Sequence, residues 1–227
     1  MPAWVRGRRD GRVVTSVRSV LWLGGAPCAG KSSVARLLCE RFALDVVHVD
    51  DTIDAFMAQL DPERQPALSG WMALSWDERW ARPPEALVDE VVACYREHLG
   101  FVREQVLSRA GQDRPALVEG SAILPADVAR TLASPADALW LVPTRAFQAH
   151  HYALRPWVGG VLRECADPVA AFERWMERDA RFAAWLEDEV RALGLACLAV
   201  DGSRSVEEVA GVVAERFGLV GGGESGG

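Results

Sequence analysis

Val20-Leu21-Trp22-Leu23 runs directly into Gly24-Gly25-Ala26-Pro27-Cys28-Ala29-Gly30-Lys31-Ser32-Ser33, and this stretch decides the fold. From Gly25 to Ser32 it fits the pattern G-x-x-x-x-G-K-[ST]. The glycines at 25 and 30 let the main chain turn tightly and approach an anion. The loop of Ala26, Pro27, Cys28 and Ala29 then wraps phosphate oxygens with N–H groups, as far as Ser33. A helix starting at the loop adds its positive N-terminal end. Lys31 is expected to bridge the β- and γ-phosphates as a compact charge, and the Ser32 hydroxyl to ligate Mg²⁺. Context agrees with the pattern. The apolar run before the loop suits a buried parallel strand, and Val34, Leu37, Leu38 and Phe42 fall at helical spacing after it.

Composition points the same way. Of the 25 basic residues only one is lysine, and it is Lys31. The chain has 227 residues, half of them hydrophobic and a quarter charged, enough for one domain with a packed core. Its longest apolar stretch is far short of the roughly 18 residues of a membrane span, and no signal peptide is evident. Five widely spaced cysteines without a Cys-x-x-Cys pair fit reduced thiols and a cytoplasmic setting. Net charge is −7, although residues 1–18 carry five Arg and one Asp. So acidic a body argues against a nucleic-acid surface. Residues 1–18 read as a flexible basic leader, 19–218 as the domain, and 219–227 as a flexible Gly-rich tail.

Four further strands are expected: 45–49, ending at Asp50-Asp51; 116–118, ending at Glu119-Gly120; 138–142, stopped by Pro143; and 195–200, ending at Asp201-Gly202. Helical patterns lie between them, so the fold class is α/β, a five-stranded parallel sheet flanked by helices. Ligands of such sheets sit beyond the carboxyl ends of the strands, where Gly25, Asp50, Glu119 and Asp201 all stand. No second lysine exists for an Asn-Lys-x-Asp guanine element, and the chain is too short for a large ATPase machine. A small kinase-like protein remains.

Gly24 to Ser33, Val49-Asp50-x-x-Ile53-Asp54-Ala55 and the acidic end of the third strand resemble the adenylate-kinase-like P-loop kinases. Among these the likeness is to small-molecule phosphotransferases of the chloramphenicol phosphotransferase type. It extends topologically over about residues 19–218 and at motif level over some 30 residues. The resemblance implies ATP and Mg²⁺, a small-molecule hydroxyl acceptor, and Asp50 as the carboxylate that takes the hydroxyl proton. Asp51 is the alternative base, and a helix N-cap the non-catalytic role for Asp50. Where many relatives have aspartate this chain has Glu119, whose duty is either metal-water or substrate contact.

Residues 51–113 form the insertion expected to hold the acceptor. Within it Val88, Val91, Val92, Tyr95, Leu99, Val102 and Val106 read as the core stripe of a helix from Pro84 to about Ala110. Trp71, Trp76 and Trp80, with Arg79 and Arg82, either cover the acceptor or pack the insertion. A helix over 147–155, a break at Gly159-Gly160 and a long helix from Asp167 to about Leu193 complete this part. Relatives close a lid, here about 155–181, so Arg155 and Arg178 are expected on the transferring phosphoryl group, with Arg174 and Arg181 on the same helical face as Arg178. Pairing of these arginines with Glu173, Glu177 and Asp179 is the solvated alternative. Ser205 and Glu208 make a capping box, and Arg204 is a candidate contact to adenine. The four histidines show no metal-ligand spacing. Competing functions are a nucleoside or nucleotide kinase, and a regulatory ATPase.

Overall fold

The computed structural model describes residues 20–105, 107 and 114–219, so the leader and nearly all of the tail lie outside the described residues. The chain runs β1 (Val20–Gly25), α1 (Lys31–Phe42), β2 (Asp45–His48), α2 (Ile53–Met57), α3 (Pro66–Ala73), α4 (Trp76–Trp80) and α5 (Pro84–Gln105). It continues through β3 (Ala116–Glu119), α6 (Pro125–Ala129), β4 (Ala138–Pro143), α7 (Arg145–Ala153) and α8 (Pro156–Arg163). The last elements are α9 (Pro168–Ala192), β5 (Cys197–Val200) and α10 (Val206–Arg216). All pairings are parallel, in the order β2-β3-β1-β4-β5.

Near-continuous apolar strands demand cover on both faces. Leu21, Leu23, Leu117, Leu139 and Leu141 turn to one side and pack against α1 and α10 through Val34, Leu38, Val209 and Val213. Trp22, Val118, Trp140 and Val142 turn to the other and meet Val92, Leu99, Phe182 and Leu186 of α5 and α9. A third cluster, with Cys28, Trp80, Leu87, Tyr152, Val158 and Trp175, ties α4, α5, α7, α8 and α9 together beside the glycine-rich loop. No helix among the described residues is long and apolar enough to cross a membrane.

The expected five-stranded parallel sheet is present. Local differences have local causes. Gly159 and Gly160 do not break the chain; they lie inside α8, which Pro156 opens at its first turn. Each glycine costs the helix about 1 kcal/mol relative to alanine. Burial of Val158, with Val161 and Leu162 packed on the third cluster, offsets that cost. β5 begins at Cys197 rather than Leu195; α5 spans Pro84–Gln105, and of the expected remainder Val106 and residues 108–110 lie outside the described residues. The Ser205–Glu208 capping box is formed from both sides.

Gly24 shows how closely β1 and β4 approach. A Cβ there would stand 2.3 Å from Trp140 Nε1, which donates to the Ile123 carbonyl at 2.8 Å. Gly24→Ala must therefore displace a fully buried indole and break its hydrogen bond. The expected loss is about 2–4 kcal/mol of unfolding free energy, read from urea titration.

Candidate active site

Connections after β1 and β3 leave the sheet on opposite faces: α1 packs on one side and α6 on the other. That divergence opens a crevice beyond the carboxyl ends of these adjacent strands. A cavity of about 350 Å³ occupies it, floored by residues 27–33 and walled by Asp50, Ile53, Tyr95, His98, Ser121, Tyr152, Arg155 and Trp157.

The loop adopts the conformation its sequence demands. Gly30 has φ 79° at the N-cap of α1, a left-handed state that costs glycine little, and an added Cβ would meet nothing within 4 Å. Cys28 is also left-handed, at φ 62°. No side chain caps α1, so its first amides keep their capacity for an anion. From α7, Gln148 supports the loop: its buried Nε2 donates to the Pro27 carbonyl at 2.9 Å.

Lys31 is buried under this loop. Its Nζ donates to the Ala26 carbonyl at 2.9 Å and to Ser121 Oγ at 3.0 Å. Burial pushes its pKa down, opposed by the negative charges of Asp50 and Glu119. Ser32, one residue on, is exposed on the cavity wall.

Asp50 opens a 3-10 turn that follows β2; both it and Asp51 are exposed, but only Asp50 lines the cavity. Asp50 caps no helix, because Val49 and Thr52 occupy the two N-cap positions without a side-chain cap bond. Glu119 is 2% exposed at the end of β3. Its Oε1 lies 2.5 Å from His48 Nδ1, which must donate, and its buried Oε2 has no hydrogen-bond partner. Glu119 does not line the cavity; its negative charge helps hold the Lys31 pKa up. The oxygen donors, an exposed Ser32 hydroxyl on the cavity wall and an unpartnered Glu119 Oε2 behind the β3 end, are of the kind Mg²⁺ takes, an ion that keeps most of its waters and needs few protein ligands.

The arginines separate. Arg155 reaches the cavity from the link between α7 and α8, its guanidinium 5.7 Å from the Tyr152 ring centroid and 5.9 Å from that of Trp157. Arg178 does not line this cavity. It is 8% exposed, its Nε donates to Asp179 Oδ1 at 2.6 Å, and its guanidinium lies 5.2 Å from the Trp80 ring centroid. Arg174 donates to the Trp80 carbonyl, and Arg181 pairs with Glu177 and Glu85. Of the three, Arg178 alone is buried against α4, while Arg174 and Arg181 stay exposed beside it; helical spacing places them on one face but does not say which of them that face buries. Arg204 is exposed on the loop after β5 and is not in the cavity wall.

A second cavity of about 210 Å³ adjoins the first, sharing Ile53, Tyr95 and His98 with it. Phe56, Leu68, Trp71, Val91, Cys94 and Arg178 complete its lining. The tryptophans of the insertion separate by position. Trp80 packs, 18° from parallel on Trp175 and edge-on to Trp71, and Arg79 sits 4.1 Å from the Trp76 ring centroid. Trp71 alone of the three borders the cavity. Burial pushes the Cys94 thiol up to about 12, so it stays protonated there.

Sequence reasoning overlooked Tyr95 and His98 as site residues, Ser121 as a lysine partner and Gln148 as loop support. A signal existed for the first two: polar groups three residues apart on the apolar stripe of α5.

Neither a family model nor a curated protein matches the sequence. Among solved structures, an uncharacterized protein from Eubacterium ventriosum covers 88% of this chain and 97% of its own at 11% identity, with TM-score 0.42. A protein from Chloroflexus aurantiacus, proposed to be a kinase, covers 88% and 99% at 13% identity, with TM-score 0.39.

Proposed function

We propose that the protein transfers the γ-phosphoryl group of ATP to a hydroxyl of a small molecule, with Mg²⁺ as cofactor. The observation that carries this reading is the facing of the buried Lys31 ammonium and the Asp50 carboxylate across one cavity that continues into a second, apolar one. The amides of residues 28–33 and Lys31 would grip the triphosphate. Ser32 would hold Mg²⁺, which when bound neutralises phosphate charge, and the buried Glu119 would support the site through its charge beside Lys31. Asp50 orients the acceptor hydroxyl and takes its proton as the O–P bond forms. Arg155, exposed in the cavity wall, would stabilise the oxygens of the group in transit.

The acceptor body belongs in the second cavity. Its one cationic side chain, Arg178, is already matched by Asp179, so a phosphorylated acceptor finds no uncompensated charge there. This favours an uncharged alcohol over a nucleotide.

ADP release across hydroxylated metabolites, nucleosides and antibiotics, with Lys31→Ala as blank, tests the proposal. At least one alcohol should raise turnover well above the rate with water. A rate that no addition changes, with ATP bound, would leave a regulatory ATPase.

A further inference from the structure

The partition between the two cavities holds a group that phosphate binding does not use. His98 of α5 is 4% exposed and borders both cavities. Its ring lies 1° from parallel to Phe56, with centroids 5.2 Å apart. Nε2 is 2.8 Å from Thr52 Oγ1, and that oxygen is 2.7 Å from the Val49 carbonyl.

These contacts assign the proton. A hydroxyl carries one hydrogen and a carbonyl can only accept, so the Thr52 hydrogen goes to Val49. The 2.8 Å contact is then closed by a hydrogen on Nε2, donated by the imidazole. Turning the ring over would set a carbon against Thr52 and lose the bond. Burial pushes the His98 pKa down, partly opposed by Asp50, so the neutral ring prevails at neutral pH. Nδ1 is therefore a lone-pair acceptor, and no described residue donates to it.

We propose that His98 is a specificity residue whose Nδ1 accepts a hydrogen bond from a second hydroxyl or N–H of the acceptor molecule. This deepens the phosphotransferase reading and rests on it. The donor must be a second one because the hydroxyl that receives the phosphoryl group has a single proton, directed at Asp50. The substrate class that follows is an uncharged molecule with an apolar body, seated against Phe56, Leu68, Trp71 and Val91, and at least two hydrogen-bond donors. A carbonyl or ether oxygen in place of the second donor would set lone pair against lone pair in a desolvated site, a strong basis for rejection.

Long-range ¹H–¹⁵N spectra of the full-length protein test this, with His98 assigned by its absence in His98→Gln. The probes are 1-phenylethane-1,2-diol and its dimethyl ether, whose single ring suits a cavity of this volume. Nε2 should be protonated and Nδ1 pyridine-like. The diol should move Nδ1 upfield, and the ether should not. Thr52→Val removes the acceptor of the Nε2 proton and should shift both nitrogens toward the tautomer average. A protonated Nδ1 overturns the proposal, as does an Nδ1 that responds equally to both probes or to neither. Calorimetry with ATP on the same sample reports on the phosphate loop independently, so failure at His98 with ATP bound overturns this inference alone.

Discussion

Lys31→Ala is expected to reduce phosphoryl transfer by at least about 10²–10³-fold, the usual result of deleting one preorganised donor at developing charge. ATP affinity should fall with it, because the variant leaves only main-chain amides and the helix terminus on the triphosphate. Stability should move much less. The ammonium is buried, and burial pushes its pKa below the ordinary 10.5, so folding works against its charge. Two hydrogen bonds and the nearby carboxylates offset that burden in the native chain. Calorimetry with ATP and thermal melting of the same variant separate the two effects. An unfolded variant would assign Lys31 to the architecture rather than to the substrate.

The depressed pKa also fixes opposite pH slopes for folding and binding. In the window between the lowered value and 10.5 the unfolded lysine holds its proton and the folded one releases it. The unfolded state then binds more protons, so the Lys31 contribution to stability rises with pH. ATP needs the charged form, so its affinity falls over the same window. Parallel slopes for melting temperature and ATP affinity would refute this role.

Asp50→Asn should lower the transfer rate by about 10²–10⁴-fold, the span usual for a positioned general base. The amide keeps the shape of the carboxylate and its capacity to accept a hydrogen bond, but cannot take the proton. ATP binding should survive, since the change removes a negative charge from the neighbourhood of the triphosphate. A coupled effect follows from electrostatics: the Asp50 charge is the strongest influence holding the Lys31 pKa up. In Asp50→Asn the alkaline limit of ATP binding should therefore move to lower pH. Single-turnover transfer with the best alcohol of the panel, and ATP titrations across pH, check both effects. A near-normal rate would transfer the base role elsewhere, with Asp51 the adjacent alternative.

Local features read well from the amino acids. The loop at 25–32 is a short contiguous pattern, and its backbone demands, a left-handed Gly30 and an uncapped α1, are set within those residues. The strands were legible as short apolar runs, most clearly β1, β3 and β4, which are buried almost throughout, while the edge strands β2 and β5 are partly open; Ser205–Glu208 was legible because a capping box spans four residues. Arg178 was not. Spacing at 174, 178 and 181 shows that the three share a helical face but not what that face meets, and α9 turns it toward Trp80 and Glu85. Glycines at 159 and 160 looked like a break because local propensity omits the packing of Val158 that holds α8 together.

From its amino acids alone, then, this protein reads as a parallel α/β chain with a glycine-rich loop of the phosphate-cradling pattern and an acid after the second strand, because those properties are short-range and carried by neighbouring residues. The tertiary structure decided which distant groups join that cradle. Ser121 reaches Lys31 from 90 positions away, Gln148 braces Pro27 from 121, and His98 reaches Thr52 across 46. Such partners are selected by strand order and by which face of the sheet each crossover takes, and no local pattern of side chains encodes either.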